Sequence, residues 1–303
     1  LAALATPAVA SARWMLVCVQ HVAGSAPREV GAWMAVAADA LLGSVGGGQL
    51  EYEAIETARA HLSALPVSTP APATPSPAIP FTQRIPLGPR LGQCCGGVVT
   101  LQFESLPLQP DAAQQQALRE RLSPAPAQCM PVALFGGGHV GRALVALLAG
   151  LPSQVLWVDS RDEVFPESLP ASVRAEQSEP VHRAVATLAP GSLVLIMSFS
   201  HAEDLDIVAE CLRRQRAKAD LHFIGLIGSR SKWAVFRQRL LARGFSEAEL
   251  SQVTCPIGAP GIPGKQPEVI AVAVVAQLLQ VWQGGVSRRV GGCMMDTIMG
   301  QPS

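Results

Sequence analysis

The chain has 303 residues, enough for one large domain or two ordinary ones, and its 49% apolar against 15% charged content excludes wholesale disorder. Twenty-three basic residues balance 23 acidic ones, so bulk electrostatic attraction to nucleic acid or to an anionic membrane surface is not expected. The cysteines number seven, an odd count with no C-x-x-C pair, which argues against a zinc knuckle or a disulfide framework and for a reducing cytoplasm.

In chain order, Leu1 to Ala12 is Ala-rich but lacks the basic start and strong apolar core of a secretory signal. Trp14 to Gln20 reads as a buried strand. Trp33–Ala37 and Leu41–Val45 read as a hairpin turning at Ala38-Asp39-Ala40. The triplet Gly46-Gly47-Gly48 breaks the strand, and a helix follows over Gln49–Leu65 with Glu51 and Glu53 where its dipole favours them. Residues 65–80 form a Pro-rich insert. Phe81–Pro86 and Val98–Phe103 are further strands, making 1–107 a small α+β domain. Residues 108–130, Pro-rich around a short polar helix at Asp111–Leu122, read as a linker.

Residues 131–285 alternate cleanly. Strands are expected at Val132–Phe135, Val155–Asp159, Leu193–Phe199 and His222–Ile227. Helices are expected at His139–Ala149, Leu205–Ala217, Lys232–Arg243 and Glu268–Trp282. This pattern predicts an α/β fold, a Rossmann-like doubly wound parallel sheet covered on both faces. The apolar run Val269–Leu279 is interrupted by Gln277 and too short to cross a bilayer, so no membrane span is expected. Residues 286–303 are a tail.

Several stretches carry chemistry. In Gly136-Gly137-Gly138-His139-Val140-Gly141 the G-x-G-x-x-G spacing falls between a strand and a helix, where Gly136, Gly138 and Gly141 let a pyrophosphate approach the helix N-terminus. Asp159 ends the next strand 18 residues past Gly141, close to the ~20 expected of a ribose-binding acid, and Arg161 follows. The alternative is that the glycines only permit tight strand–helix packing. His201 with Glu203, Asp204 and Asp206 sits at a strand's carboxyl end. It suits either metal or acid–base work, or simple helix capping. Gly225 to Lys232 is another strand-to-helix turn, bringing Arg230 and Lys232 to the crevice edge, and the stiff loop Cys255–Lys265 belongs on the same side. In the first half, Gly24-Ser25-Ala26-Pro27-Arg28 and Gly43–Gln49 resemble turns whose free N–H groups cradle anions. Most distinctive is Leu91-Gly92-Gln93-Cys94-Cys95-Gly96-Gly97. Glycines frame two adjacent thiols, and thiolates suit soft metals and sulfur chemistry.

Together these stretches resemble the XdhC/CoxI family of molybdenum-enzyme maturation proteins. The resemblance rests on Gly24–Arg28, Gly43–Glu51, Leu87-Gly88-Pro89 leading into Gln93–Gly97, and Gly225–Lys232 followed by Pro256-Ile257-Gly258 and Lys265–Glu268. It implies a chaperone, not a redox catalyst. Such a protein binds molybdenum cofactor (molybdopterin), holds it while a cysteine desulfurase exchanges an oxo for a sulfido ligand, and delivers it to a xanthine dehydrogenase-type apoenzyme. On that basis Cys94 and Cys95 are expected to meet the metal, and Gln93, Gly47 and Gly48 to contact the cofactor. Arg28, Arg230 and Lys265 are candidates for the pterin phosphate. The crevice at Gly136, Gly138, Gly141, Asp159 and His201 would hold the pterin or a nucleotide. At Phe199–Glu203 the chain keeps one histidine where relatives tend to carry a Thr-His-Asp-His-like run, which puts a two-His role in doubt. A homodimer is the working expectation. The rival readings are an NAD(P)-dependent oxidoreductase and a nucleotide-sensing regulator.

Overall fold

The computed structural model describes residues 13–64, 80–88, 96–107, 111–122 and 129–295. The chain divides into two compact units, 1–124 and 125–303.

The first unit is built on a five-stranded antiparallel sheet: β1 (Met15–Ala23), β2 (Trp33–Val36), β3 (Leu41–Gly43), β4 (Phe81–Pro86) and β5 (Val98–Ser105), in the order β3-β2-β1-β5-β4. Alternation drives it. Met15, Val17 and Val19 of β1 face the same way as Met34 and Val36 of β2 and Val99, Leu101 and Phe103 of β5. Helix α1 (Gly48–Ala64) lays Leu50, Ala54, Ala58 and Leu62 on that face, the i, i+4 stripe of an amphipathic helix. Phe81 stacks on Phe103 across the β4–β5 pair at 4.7 Å between ring centres. The short helix α2 (Ala112–Leu122) reaches back to the sheet through the Arg121–Glu104 ion pair.

The second unit is a six-stranded sheet, parallel throughout: β6 (Met130–Phe135), β7 (Ser153–Asp159), β8 (Val173–Gln177), β9 (Leu193–Ile196), β10 (Phe223–Leu226) and β11 (Val253–Thr254). Its order, β11-β10-β9-β6-β7-β8, is that of the doubly wound dinucleotide fold, with strand order reversing between β6 and β9. Helices α3 (His139–Leu148) and α7 (Pro267–Met295) cover one face. Helices α4 (His201–Lys218), α5 (Arg230–Ala242) and α6 (Glu247–Leu250) lie on the other with the 3-10 helix Val181–Thr187. The buried strands are near-continuous apolar runs, as a sheet covered on both sides requires.

The parallel, doubly wound expectation holds, with four corrections. The strand expected to end at Phe199 ends at Ile196. Helix α4 begins at His201, not Leu205, because Ser200 caps it by accepting a hydrogen bond from the Glu203 N–H. Helix α7 runs past Trp282 to Met295. Strands β8 and β11 were not anticipated. The first is a polar edge strand, Val-Arg-Ala-Glu-Gln, and the second is two residues long, so neither carries an apolar signature.

Among the described residues no helix is long and apolar enough to cross a membrane.

Candidate functional site

In the first unit three of the sequence stretches converge. Gly97 donates its N–H to the Ser25 carbonyl (3.1 Å), and a Cβ on Gly97 would lie 2.2 Å from that oxygen, so only glycine fits. Gly46 packs on Pro27, where a Cβ would come within 2.5 Å of the ring, and within reach of the Arg28 stem. Leu87 donates its N–H to Gly97 O (2.8 Å), which extends the β4–β5 pairing by one rung beyond Pro86 and Val98. Gln93, Cys94 and Cys95 lie between those points, outside the described residues. Arg28 stands at the surface, 43% exposed, near Glu29 at 3.7 Å.

The triple-glycine turn is a true anion cradle, but its anion is internal. Gly46, Gly47 and Gly48 all have positive φ (134°, 74° and 60°). The Glu51 carboxylate accepts from Ser44 Oγ (2.5 Å) and from the N–H groups of Val45 (3.0 Å) and Gly47 (3.1 Å). Burial would raise the Glu51 pKa, but these donors outweigh it and hold it below the usual value.

In the second unit the fingerprint glycines have separate jobs. A Cβ on Gly136 would meet Met197 O at 2.0 Å, and one on Gly141 would meet Gly136 O at 2.2 Å. Trp157 Nε1 donates to that same Gly136 oxygen (2.9 Å). These glycines therefore serve close packing of the β6 turn, the β9 turn and α3. Gly138 differs: a Cβ there would meet nothing within 4 Å, and no side chain caps α3. The N–H groups at the start of α3 are left without a side-chain acceptor, a setting that suits an anion.

Asp159 is 1% exposed and fully engaged. Oδ2 accepts from Gly137 N–H (2.6 Å) and Arg161 Nη2 (3.1 Å). Oδ1 accepts from Arg161 N–H and Nε, both at 2.9 Å. Burial raises its pKa, and the Arg161 and Gly137 bonds lower it further than burial lifts it. In this arrangement the carboxylate presents no free edge to a ribose diol.

The two halves match separate family models, one described as XdhC Rossmann domain over residues 132–278 and one as XdhC and CoxI family over residues 9–66. The chain belongs to the XdhC and CoxI family. Uncharacterized protein YqeB of Escherichia coli (strain K12) is 27% identical over 277 residues; the match takes in 90% of this chain and 43% of YqeB, so the chain spans less than half of that relative. The fold resembles a Bacillus halodurans crystal structure described as a xanthine dehydrogenase, with TM-score 0.63 and 19% identity over 90% of this chain and 92% of the other. At that identity the likeness is one of fold.

The remaining residues of this XdhC and CoxI family member are scattered around the sheet's carboxyl edge. His201 is the exposed first residue of α4, edge-on to Phe236 at 6.3 Å, and Arg230 is the exposed first residue of α5. Lys265 is exposed in the loop before α7. Lys232, read as an exposed base, is instead 13% exposed. Its Nζ donates to Asp204 Oδ2 (2.6 Å) and Ile227 O (2.9 Å). Asp204 accepts from the Ser198 N–H and Oγ, at 2.8 and 2.7 Å, so it anchors the β9 turn and caps nothing. Asp206 pairs with Arg243 on the surface. Sequence reasoning missed the Asp204–Lys232 pair because its partners lie on different helices. Among the described residues no group of three or more His, Cys, Asp or Glu side chains is set to hold a metal. A cleft of about 320 Å³ opens at the opposite, amino-terminal ends of β6, β7 and β8, and none of the expected site residues lines it.

Proposed function

We propose that this chain is a maturation factor for a xanthine dehydrogenase-type apoenzyme, one that binds molybdenum cofactor, holds it for sulfuration by a cysteine desulfurase and hands it on. Family membership supports the role. The observation that carries the cofactor reading is the convergence of Gly24–Arg28, Ser44–Glu51 and Gly97, the last of these lying two residues beyond Cys95 in the chain. Three tightly packed glycine turns at the base of a paired-thiol segment make a rigid mount, and preorganised ligands bind with less entropic loss.

When bound, the cofactor supplies a molybdenum ion with an exchangeable ligand on the dithiolene of a pterin phosphate. The chain offers fitting chemistry for the phosphate at the uncapped start of α3, where Gly138 leaves open space. Arg230 and Lys265 of the same unit stand exposed and supply positive charge, and Arg28 is an exposed cation of the first unit. Cys94 and Cys95 supply the soft donors. Glu51 holds the triple-glycine turn closed, which keeps Gly46 against Pro27. The oxidoreductase reading has less support, because Asp159 is already saturated by Arg161 and Gly137.

The test is molybdenum and pterin content of protein purified from a host that makes the cofactor, together with activation of a xanthine dehydrogenase-type apoenzyme. Wild type is expected to carry both. The double variant Cys94→Ser/Cys95→Ser is expected to lose about tenfold or more of the metal while melting at the same temperature. Undiminished metal and undiminished activation in that variant would remove the thiols from the mechanism. Absence of both metal and pterin from wild type would remove the function.

A further inference from the structure

We infer that the crevice mouth beside β7 and β9 recognises a 2-amino-4-oxopyrimidine edge, the ring chemistry shared by pterins and guanine, with Phe199 as the stacking platform and Glu203 as the edge reader. The inference rests on the cofactor-holding function proposed above and places the cofactor's ring.

Two side chains there are unexplained by the fold. Phe199 is 68% exposed, the highest value among the large apolar side chains of the described residues, and it joins none of the buried clusters. It follows β9, at the point where strand order reverses and ligands of this fold bind. The Arg161 guanidinium covers one of its faces at 4.4 Å, which braces the ring upright.

Glu203 is the second. Its Oε1 accepts from Ser160 Oγ (2.8 Å), while its Oε2 is shut away from solvent with no hydrogen-bond partner. A buried carboxylate oxygen without a donor is costly. Helix capping does not account for it, since Ser200 already caps α4. The neighbouring cation makes no hydrogen bond to it either; Arg161 gives Nε and Nη2 to Asp159. Ser160 and Arg161 are consecutive, and one holds Glu203 while the other covers Phe199, so both side chains are held by the same short loop after β7.

The chemistry narrows the ligand. A second anion is disfavoured, because Glu203 and Glu163 both already act on Arg161. The site asks for a planar ring with two adjacent donors. A carboxylate has lone pairs for a parallel N–H fork, as it does for a guanidinium. The ring N–H and exocyclic amino group of a 2-amino-4-oxopyrimidine form that fork. Adenine and cytosine place an acceptor beside their amino group and do not.

Full-length protein is titrated by calorimetry with pterin, GMP, AMP and CMP. Pterin or GMP, or both, are expected to bind about tenfold or more tightly than AMP and CMP. Pterin alone points to the cofactor ring as the source, and GMP alone to a guanine nucleotide. Glu203→Gln is expected to erase the preference, and Phe199→Ala to weaken every ring by roughly tenfold without changing their order. Melting temperatures are measured on each variant, and Glu203→Asp, which keeps the charge, is expected to retain part of the preference. Equal binding of all four rings, no binding by any, or an unchanged preference in Glu203→Gln would overturn the site. If the rings fail while wild type still carries molybdenum, the site is wrong and the function stands. If the rings bind selectively while no molybdenum is carried, the reverse holds.

Discussion

The two glycine-rich turns, Ser44–Gly48 in the first unit and Gly136–Gly138 in the second, solve the same backbone problem in opposite ways. Each gathers N–H groups that an anion can fill. In the first, a carboxylate four residues beyond Gly47 folds back and fills the cradle. In the second, Asp159 from the next strand takes the Gly137 N–H, and the helix start beyond it stays uncapped. The lesson is that a glycine turn announces capacity for an anion, and the carboxylates nearby decide whether that capacity is already spent.

Substitutions break this comparison in a graded series. The largest effect is expected from Gly136→Ala, since its φ of 129° and a contact of 2.0 Å to Met197 O leave no room for a methyl; a loss of about 3 kcal/mol in urea unfolding is expected. Next is Asp159→Asn, with a loss of about 2 kcal/mol at neutral pH. Its pH dependence gives the sign. The folded pKa sits below the ordinary 3.8, so the stabilisation is complete above that value and fades as pH falls through the lowered one. The gap between wild type and Asp159→Asn is therefore expected to close in acid, and a gap that widened would contradict the assignment. Glu51→Ala, which empties the first cradle, is expected to cost about 1.5 kcal/mol and to speed amide exchange at Val45 and Gly47. Gly138→Ala is smallest. With φ of −72° and open space around it, a change under about 0.5 kcal/mol is expected in stability, whereas ligand binding at α3 should weaken.

What the sequence makes legible follows from how local each signal is. Buried parallel strands and the β6–α3 turn are contiguous in the chain, so apolar runs and glycine spacing suffice to place them. The short polar β8 and the two-residue β11 have no such pattern. The site was legible in its motifs but not in its pairings. Glu51 read as a dipole-favoured acid and proved to be a cradle's occupant. Lys232 read as a free base and proved to be half of a buried pair with Asp204, 28 residues earlier. Gly136 and Gly141 read as phosphate approach, and a side chain at either would also strike the Met197 or the Gly136 carbonyl. In each case the deciding partner came from another element, and spacing along the chain does not encode that.

Arg214 has a consequence of a different kind. Its guanidinium donates to Val185 O (2.6 Å) and Leu188 O (2.7 Å) while Asp220 grips it from the far side at 2.8 Å. The return from β8 to β9 carries a seven-residue 3-10 helix, which buries Val181, Ala184 and Val185 in the core it shares with α4, and the fork adds a polar tie between the two. The fork is thus the corner's polar peg, set over a shared apolar floor. A lysine would not hold it, because one ammonium cannot span two carbonyls and a carboxylate in a plane. This part of the fold should be brittle to mutation yet cheap to remodel, open to exchange for a longer crossover whenever the peg is replaced by a helix of its own.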